Sequence, residues 1–326
     1  MRAAIVESVD GPFHIVERPR PVPTHGQALV RVHASAINPL DTKIRAGSAA
    51  HARHPLPAIL GIDLAGVVEQ LGPGVAGFQV GDAVFGMTGG VGGVPGSLAD
   101  YAAVDAALLA VKPERLSMRE AAALPLAVIT AWEGLVDRAH VGAADTVLVH
   151  GGAGGVGRAA IQIARSFGAT VFATHLGNGA DVINALGATP IDTRAATVED
   201  YVAAHTAGRG FDLVYDTVGG AVLDASFAAI RRFGHVVSCL GWGSHALAPL
   251  SFKAATYSGV FTLLPLLTGE GRAHHGEILA AAAKMVEAGQ LTARLDPRQF
   301  GLDSVGEAHD ALTTGKAAGK LVVSIV

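Results

Sequence analysis

Five glycines in the eleven residues "HGGAGGVGRAA", His150 to Ala160, separate the apolar run "TVLVH" from the helix-like "AAIQIARSFG". A tight glycine turn joining a buried strand to a helix fits few folds, and its surroundings narrow the choice further. After "TVLVH" come a helix to Phe167, then "TVFAT", "ADVINALGA", "FDLVYDTVG", "AVLDASFAAIRRF" and "HVVSCLG". Strand and helix alternate at spacings of roughly 20 to 30 residues, the pattern of a doubly wound parallel sheet in an α/β protein. We place this domain at residues 121–266. From Met1 to Glu120 the chain instead alternates short β-type runs with Gly and Pro turns ("QALVRVHASAIN", "DLAGVVEQLGPGV", "VGDAVFGM"), which reads as a barrel or sandwich. The tail holds an amphipathic helix, "EILAAAAKMVEAG", and a last strand, "KLVVSIV", and is expected to rejoin the first domain. The expected division is 1–120 with 267–326, and 121–266.

Composition excludes several classes. The chain has 326 residues, half of them apolar, enough to bury two cores. Its net charge of −4 and low charged fraction, with no basic block, give no reason to expect nucleic acid. The single cysteine, Cys239, excludes an internal disulfide framework and a zinc site of several thiolates, and a reducing, cytoplasmic location fits best. The start "MRAAIVESVDGP" reads as a strand and not as a signal peptide. The apolar run Ala121–Trp132 contains a proline and falls short of the ~20 residues needed to span a bilayer. No membrane role is expected.

Gly152-x-Gly154-x-x-Gly157 follows a strand and opens a helix, where a dinucleotide fingerprint must lie. The glycines give a tight turn, close approach of the backbone to a pyrophosphate, and close helix packing, with Gly155 and Val156 inside the turn facing the phosphates. An NAD site usually adds an acid at the end of the second strand. This chain has Thr174 and His175 there, with no acid to repel a 2′-phosphate. Arg194, in "IDTRAAT", can approach from the third strand as a phosphate partner. NADPH is favoured, and NADH remains possible.

Beyond these motifs, "SAINPLDTKIRAG", "PAILGIDLAGVVEQLGPGV", "VGDAVFG", "LPLAVITAWEGL", "GFDLVYDTVGG" and the closing "GKLVVSIV" occur in an order that resembles the medium-chain dehydrogenase/reductase superfamily. Within it the resemblance is to the zinc-free, zeta-crystallin-like quinone oxidoreductases. It implies a GroES-like β-barrel catalytic domain, a Rossmann domain inserted before the C-terminal strands, a cleft between them for the nicotinamide, and frequent homodimers through Rossmann-sheet edges. The zinc enzymes of this superfamily carry Cys, then Gly-His-Glu, and a four-cysteine lobe. Here those positions read Asn38 and Gly61-Ile62-Asp63, and the lobe is missing. His51 and His54 are three apart in "AAHARHP" but have no evident third ligand, so no metal is expected.

Without a metal to polarise an alcohol or aldehyde oxygen, a conjugated acceptor is the easier substrate. Hydride added to a conjugated carbon spreads its charge to a distant oxygen, which a few hydrogen-bond donors can stabilise. The resemblance places Asn38 and Thr130 near the nicotinamide and its ribose, Phe261 and Leu263 in a segment closing over it, and Lys320 within reach from the C-terminal segment. Val218, Leu240 and Gly241 lie just past the fourth and fifth strands, where open α/β sheets bind ligands. Quinone oxidoreductases often read "NPVDTYIRSG", whereas this chain has Lys43 in place of the tyrosine. Lysine can donate a proton or hold an anion but offers no stacking surface, so Lys43 and Arg45 are expected to bias the site toward a carbonyl-bearing or anionic enone. Asp41 is expected to be structural, in a salt bridge with these cations. The family's "INYR" reads "IDTR" here, leaving Arg194 alone at the phosphate position. The leading reading is an NADPH-dependent quinone or enone reductase acting on a small molecule. An enoyl-thioester reductase and a cofactor-binding protein with little turnover are the alternatives.

Overall fold

The computed structural model describes residues 1–326, which divide into two compact units, Met1–Leu126 with Leu263–Val326, and Ala127–Thr262. The first unit extends a few residues past the expected border on both sides. Its α2 (Met118–Ala122) is held by a capping box in which Ser117 N donates to Glu120 at 2.9 Å, and Leu126, the second residue of the next helix, donates its N–H to Asp63.

The strands of the first unit run β1 (Arg2–Val6), β2 (Phe13–Glu17), β3 (Gln27–Ala36), β4 (Ala58–Ile59), β5 (Asp63–Leu71), β6 (Ala83–Met87), β7 (Tyr101–Asp105) and β8 (Leu109–Val111). In the second unit they are β9 (Thr146–His150), β10 (Thr170–His175), β11 (Thr189–Asp192), β12 (Phe211–Asp216), β13 (Ile230–Ser238) and β14 (Thr256–Gly259), after which β15 (Phe300–Gly301) and β16 (Val322–Ser324) return to the first. Its main sheet has the order β15-β16-β3-β5-β6-β8, with β7 also on β3. The long β3, "QALVRVHASA", is mostly buried, as a central strand must be. Its end Ala36 pairs with Asp63 of β5 and with Val322 of β16, so the tail does return to the first sheet.

In the second unit all six strands are parallel in the order β11-β10-β9-β12-β13-β14. This is the 3-2-1-4-5-6 order of a dinucleotide-binding sheet. One face is filled by Leu148, Phe172, Tyr201, Phe211, Val214 and Phe227, all buried. "AVLDASFAAIRRF" reads as helix in sequence, but the helix stops at Ala229 and β13 begins at Ile230. Pairing with Phe211 of β12 overrides the helical pattern, and Phe233 is left 76% exposed with a positive φ of 60°.

Candidate cofactor and active site

In the second unit, β9 ends at His150 and α4 (Gly155–Ser166) starts at Gly155 with Gly154 as its N-cap. The apolar face of α4, Ala159, Ala160, Ile161, Ile163 and Ala164, is buried and fixes the helix against the sheet. Two of the fingerprint glycines are obligatory. A Cβ on Gly157 would lie 2.2 Å from the Gly151 carbonyl oxygen, and one on Gly152 would lie 2.6 Å from the Ala173 Cβ. Gly154 and Gly155 are exposed, and nothing stands within 4 Å of a Cβ on Gly155. Val156 is half-buried beside them. The result is an open helix N-terminus approached by bare backbone, which fits a diphosphate.

Thr174 stands near the end of β10, beside the glycine turn. Its hydroxyl is buried, accepts from Gly151 N at 3.2 Å and pairs with His150 Nδ1 at 3.1 Å, so it braces the glycine turn. Strand register aligns Thr174, His150, Asp216 and Ser238 across four adjacent strands as a buried polar row at their C-terminal ends. Asp216 accepts from Val218 N and Gly219 N, both at 2.9 Å, and from Ser238 Oγ at 2.7 Å. It thereby shapes the turn that carries the exposed Val218. Leu240 N donates to Ser238 Oγ at 3.1 Å, and Gly241 leaves room for the Tyr257 hydroxyl, which a Cβ there would meet at 2.1 Å. Burial pushes His150 down to about 4.

His175 is buried, and Thr193 N donates to its carbonyl. The acid that sequence did not find beside it is Asp192, the residue opposite His175 in the β10/β11 register. Arg194 is clamped to Asp192, with its guanidinium NH2 donating at 3.0 Å.

Helix α3 (Pro125–Trp132) passes into a π-helix at Glu133–Arg138, which widens the turn. The Thr130 carbonyl there accepts from Tyr215 OH at 2.6 Å. Thr130 Oγ1 accepts from Thr262 Oγ1 at 3.1 Å, and the same Thr262 hydroxyl lies 3.0 Å from Glu133. Thr130 is therefore held from both sides. Phe261 is half-buried and edge-on to Trp242, with ring centroids 5.9 Å apart.

In the first unit, a second buried polar group forms around α1 (Pro39–Arg45). Asn38 precedes Pro39, and its backbone N–H donates to Asp41 at 2.8 Å, closing the first turn. Asn38 Nδ2 donates to Asp63 Oδ2 at 3.0 Å, Leu126 N donates to Asp63 Oδ1 at 3.0 Å, and the Lys320 ammonium donates to Asn38 Oδ1 while standing 3.8 Å from Asp63. Burial raises Asp63 to about 6 against the opposing pull of Lys320 and Asn38, and raises Asp41 to about 7. Burial likewise lowers Lys320, partly offset by Asp63 and Asp41. Asp41 is structural, as expected, but without a salt bridge to Lys43 or Arg45. Its second oxygen accepts from Gly61 N at 3.1 Å. Arg45 is also committed elsewhere, donating to the Gly11 carbonyl at 3.0 Å, pairing with Asp310 and lying over the Phe13 ring, so it is no anion site. Lys43 is exposed and free of any ion pair. Leu263 is buried in this unit, at the start of a short helix.

No group of three or more His, Cys, Asp or Glu side chains is arranged to hold a metal ion. The positions at which zinc enzymes place ligands hold instead an amide, the aliphatic Ile62 and a carboxylate already bonded to that amide. His54 Nε2 faces the Ile59 carbonyl.

Residues 24–114 match the alcohol dehydrogenase GroES-like domain, and residues 186–323 match a family described as zinc-binding dehydrogenase. The chain is 37% identical over 305 residues to a 2-methylene-furan-3-one reductase of Solanum lycopersicum, covering 91% of this chain and 71% of that one. It is 30% identical over 330 residues to the quinone oxidoreductase of Homo sapiens, covering 99% and 97%. The chain belongs to the zinc-free, quinone oxidoreductase-like branch of the medium-chain dehydrogenases/reductases. A crystal structure of an alcohol dehydrogenase superfamily protein from Novosphingobium aromaticivorans superposes over the full length of both chains with TM-score 0.98 at 59% identity. Sequence reasoning names Asn38, Thr130 and the glycines as site residues and Asp63 only as the residue replacing a zinc-enzyme glutamate, but does not single out Asp192, Asp216 or Thr262. Asp63 opens β5 and Asp192 closes β11, and an acid at a strand boundary was the available signal.

Proposed function

We propose that the protein is an NADPH-dependent oxidoreductase that reduces a quinone or the activated C=C bond of an α,β-unsaturated carbonyl compound without zinc. The observation that carries this is the Asn38–Asp63–Lys320 cluster: the donor set for a metal is replaced by a closed hydrogen-bonded group with an ammonium at its edge. A nicotinamide dinucleotide supplies the hydride when bound. Gly152, Gly154, Gly155, Val156 and Gly157 take its pyrophosphate, Thr174 and His175 support the ribose end, and Arg194 meets a 2′-phosphate. Val218, Leu240, Gly241, Phe261 and Leu263 serve as apolar walls. Asn38 and Thr130 orient the nicotinamide half, Lys320 holds the Asn38 amide, and Lys43 donates a hydrogen bond or proton to the acceptor oxygen.

A homodimer built on the unpaired outer edge of β14 is part of this reading, supported by the exposure of three of its four residues. No helix is long and apolar enough to cross a membrane, and the single cysteine fits a cytoplasmic location. The test is oxidation of NADPH and NADH against quinones, simple enones and an enoyl-CoA, with and without chelator, alongside light scattering for the dimer. Chelator-insensitive turnover of a quinone or enone supports the reading. Loss on chelation overturns it, turnover confined to the enoyl-CoA moves it to thioester reduction, and tight NADPH binding without any turnover moves it to a non-catalytic cofactor binder.

A further inference from the structure

The sequence left the cofactor's ribose end with an arginine and no acid, but the structure puts both at one place. Asp192 ends β11 opposite His175, so its carboxylate reaches the loop that follows β10 and accepts from the Gly177 N–H there. It also accepts from Arg194 three times, from the backbone N–H at 3.0 Å, from Nε at 3.3 Å and from the terminal NH2 at 3.0 Å. The guanidinium lies on Gly177, where a Cβ would be 2.9 Å from both of its terminal nitrogens and where φ is +74°. Any residue but glycine would dislodge it. Asp192 is about 29% exposed and Arg194 63%, so the pair stands open to a ligand.

In a dinucleotide-binding sheet an acid at the end of the second strand recognises the ribose 2′-hydroxyl of NAD and a nearby arginine accommodates the 2′-phosphate of NADP; here the second strand ends in His175, and the neighbouring third strand brings Asp192 and Arg194 beside it. We propose that Asp192 and Arg194 form a cofactor-selecting pair in which Asp192 accepts from the 2′-hydroxyl of NADH, while NADPH must draw Arg194 away from Asp192 onto its 2′-phosphate. The inference rests on the reading of the second unit as a nicotinamide dinucleotide site. Two physical effects support it. Arg194 holds Asp192 far below the usual carboxylate range, so the acid is charged at neutral pH and repels a phosphate. The bidentate contact that Arg194 would give a phosphate is already spent on the carboxylate, so NADPH gains only the difference between two similar pairings. The pair therefore narrows the margin by which NADPH is preferred and leaves NADH usable.

The test uses fragments without the reacting ring, ADP-ribose and 2′-phospho-ADP-ribose, titrated by calorimetry into the full chain and its Asp192→Asn and Arg194→Ala variants. Asp192→Asn should raise the preference for the 2′-phosphorylated fragment by roughly two- to fivefold, the scale of an exposed charge pair, and Arg194→Ala should lower it below that of the unaltered protein. Asp192→Ser is the second variant, should the amide keep hold of Arg194. An unchanged preference in all three variants overturns the proposal. Failure of both fragments to bind the unaltered protein overturns the dinucleotide reading itself, and a variant that melts with the parent but loses both fragments equally assigns the pair a structural role instead.

Discussion

Two alanine substitutions two residues apart should have opposite effects on stability. At Gly157 a Cβ would stand 2.2 Å from the Gly151 oxygen and 2.9 Å from both Gly151 C and Gly152 Cα, all backbone atoms that cannot rotate aside. Carbon and oxygen rest at ~3.3 to 3.6 Å even when weakly bonded, so α4 must move by about 1 Å relative to the turn. Overpacking of this kind costs about 1–3 kcal/mol, a fall in Tm of roughly 2–12 °C for a unit of this size. Gly155 has nothing within 4 Å and begins the helix, where alanine is expected to add ~0.4–1 kcal/mol by restricting the unfolded chain. Its methyl group nevertheless stands over the helix N–H groups that would face a phosphate. Calorimetric melting paired with NADPH titration by nicotinamide fluorescence separates the two. Gly157→Ala should lose both stability and binding, whereas Gly155→Ala should melt at or above the parent and bind about tenfold more weakly, the loss of one charge-assisted hydrogen bond. Parent-like NADPH binding by Gly155→Ala would refute the phosphate cradle, and a parent-like Tm for Gly157→Ala would refute the close packing.

Thr174→Val leaves Gly151 N and His150 Nδ1 without the hydroxyl they share and should cost about 1–3 kcal/mol in urea denaturation, with Thr174→Ser restoring most of it. Asp63 sits at about 6 in the folded protein against 3.8 unfolded, so the stability its protonated form contributes is complete below about pH 4 and lost as pH rises through 6. Asp63→Asn should gain on the parent across that window, and a constant difference from pH 4 to 7 would refute the buried-charge argument. His309 carries the opposite sign. Both its ring nitrogens are buried without a partner and burial lowers it to about 3, so the parent loses stability as pH falls from 6.5. The advantage of His309→Leu should widen between pH 7 and pH 4, read as the shift in urea midpoint.

The alternation of apolar strands with helices made the parallel sheet legible, because period and spacing there are set by burial on both faces. The glycine fingerprint was legible for the same reason that Gly157 cannot be replaced: a chain reversal with a helix packed onto it admits one residue type. Asp192 and Arg194 were harder, since their meeting with Gly177 depends on strand register, which no spacing along the chain expresses. Asp41 was assigned to salt bridges with its sequence neighbours Lys43 and Arg45, yet a carboxylate in the first turn of a helix points back to its N-cap while Arg45 points to Asp310. Lys320 was expected within reach of the cofactor, but its place beside Asn38 depends on the pairing of the last strand with β3, which spacing along the chain does not express.

That pairing also has a consequence for how the chain is made. β3 is synthesised early and its first half soon pairs with β7, but β16, the partner of its end Ala34–Ala36, leaves the ribosome some 280 residues later, so through most of translation that end of the central strand has one side bare. The second unit is continuous in sequence and complete by Thr262, free to fold while the first still waits. The order of assembly is thus the reverse of the order of synthesis for the half of the protein that is made first, and a nascent chain stalled before residue 322 would carry a finished nucleotide domain beside an open sheet edge.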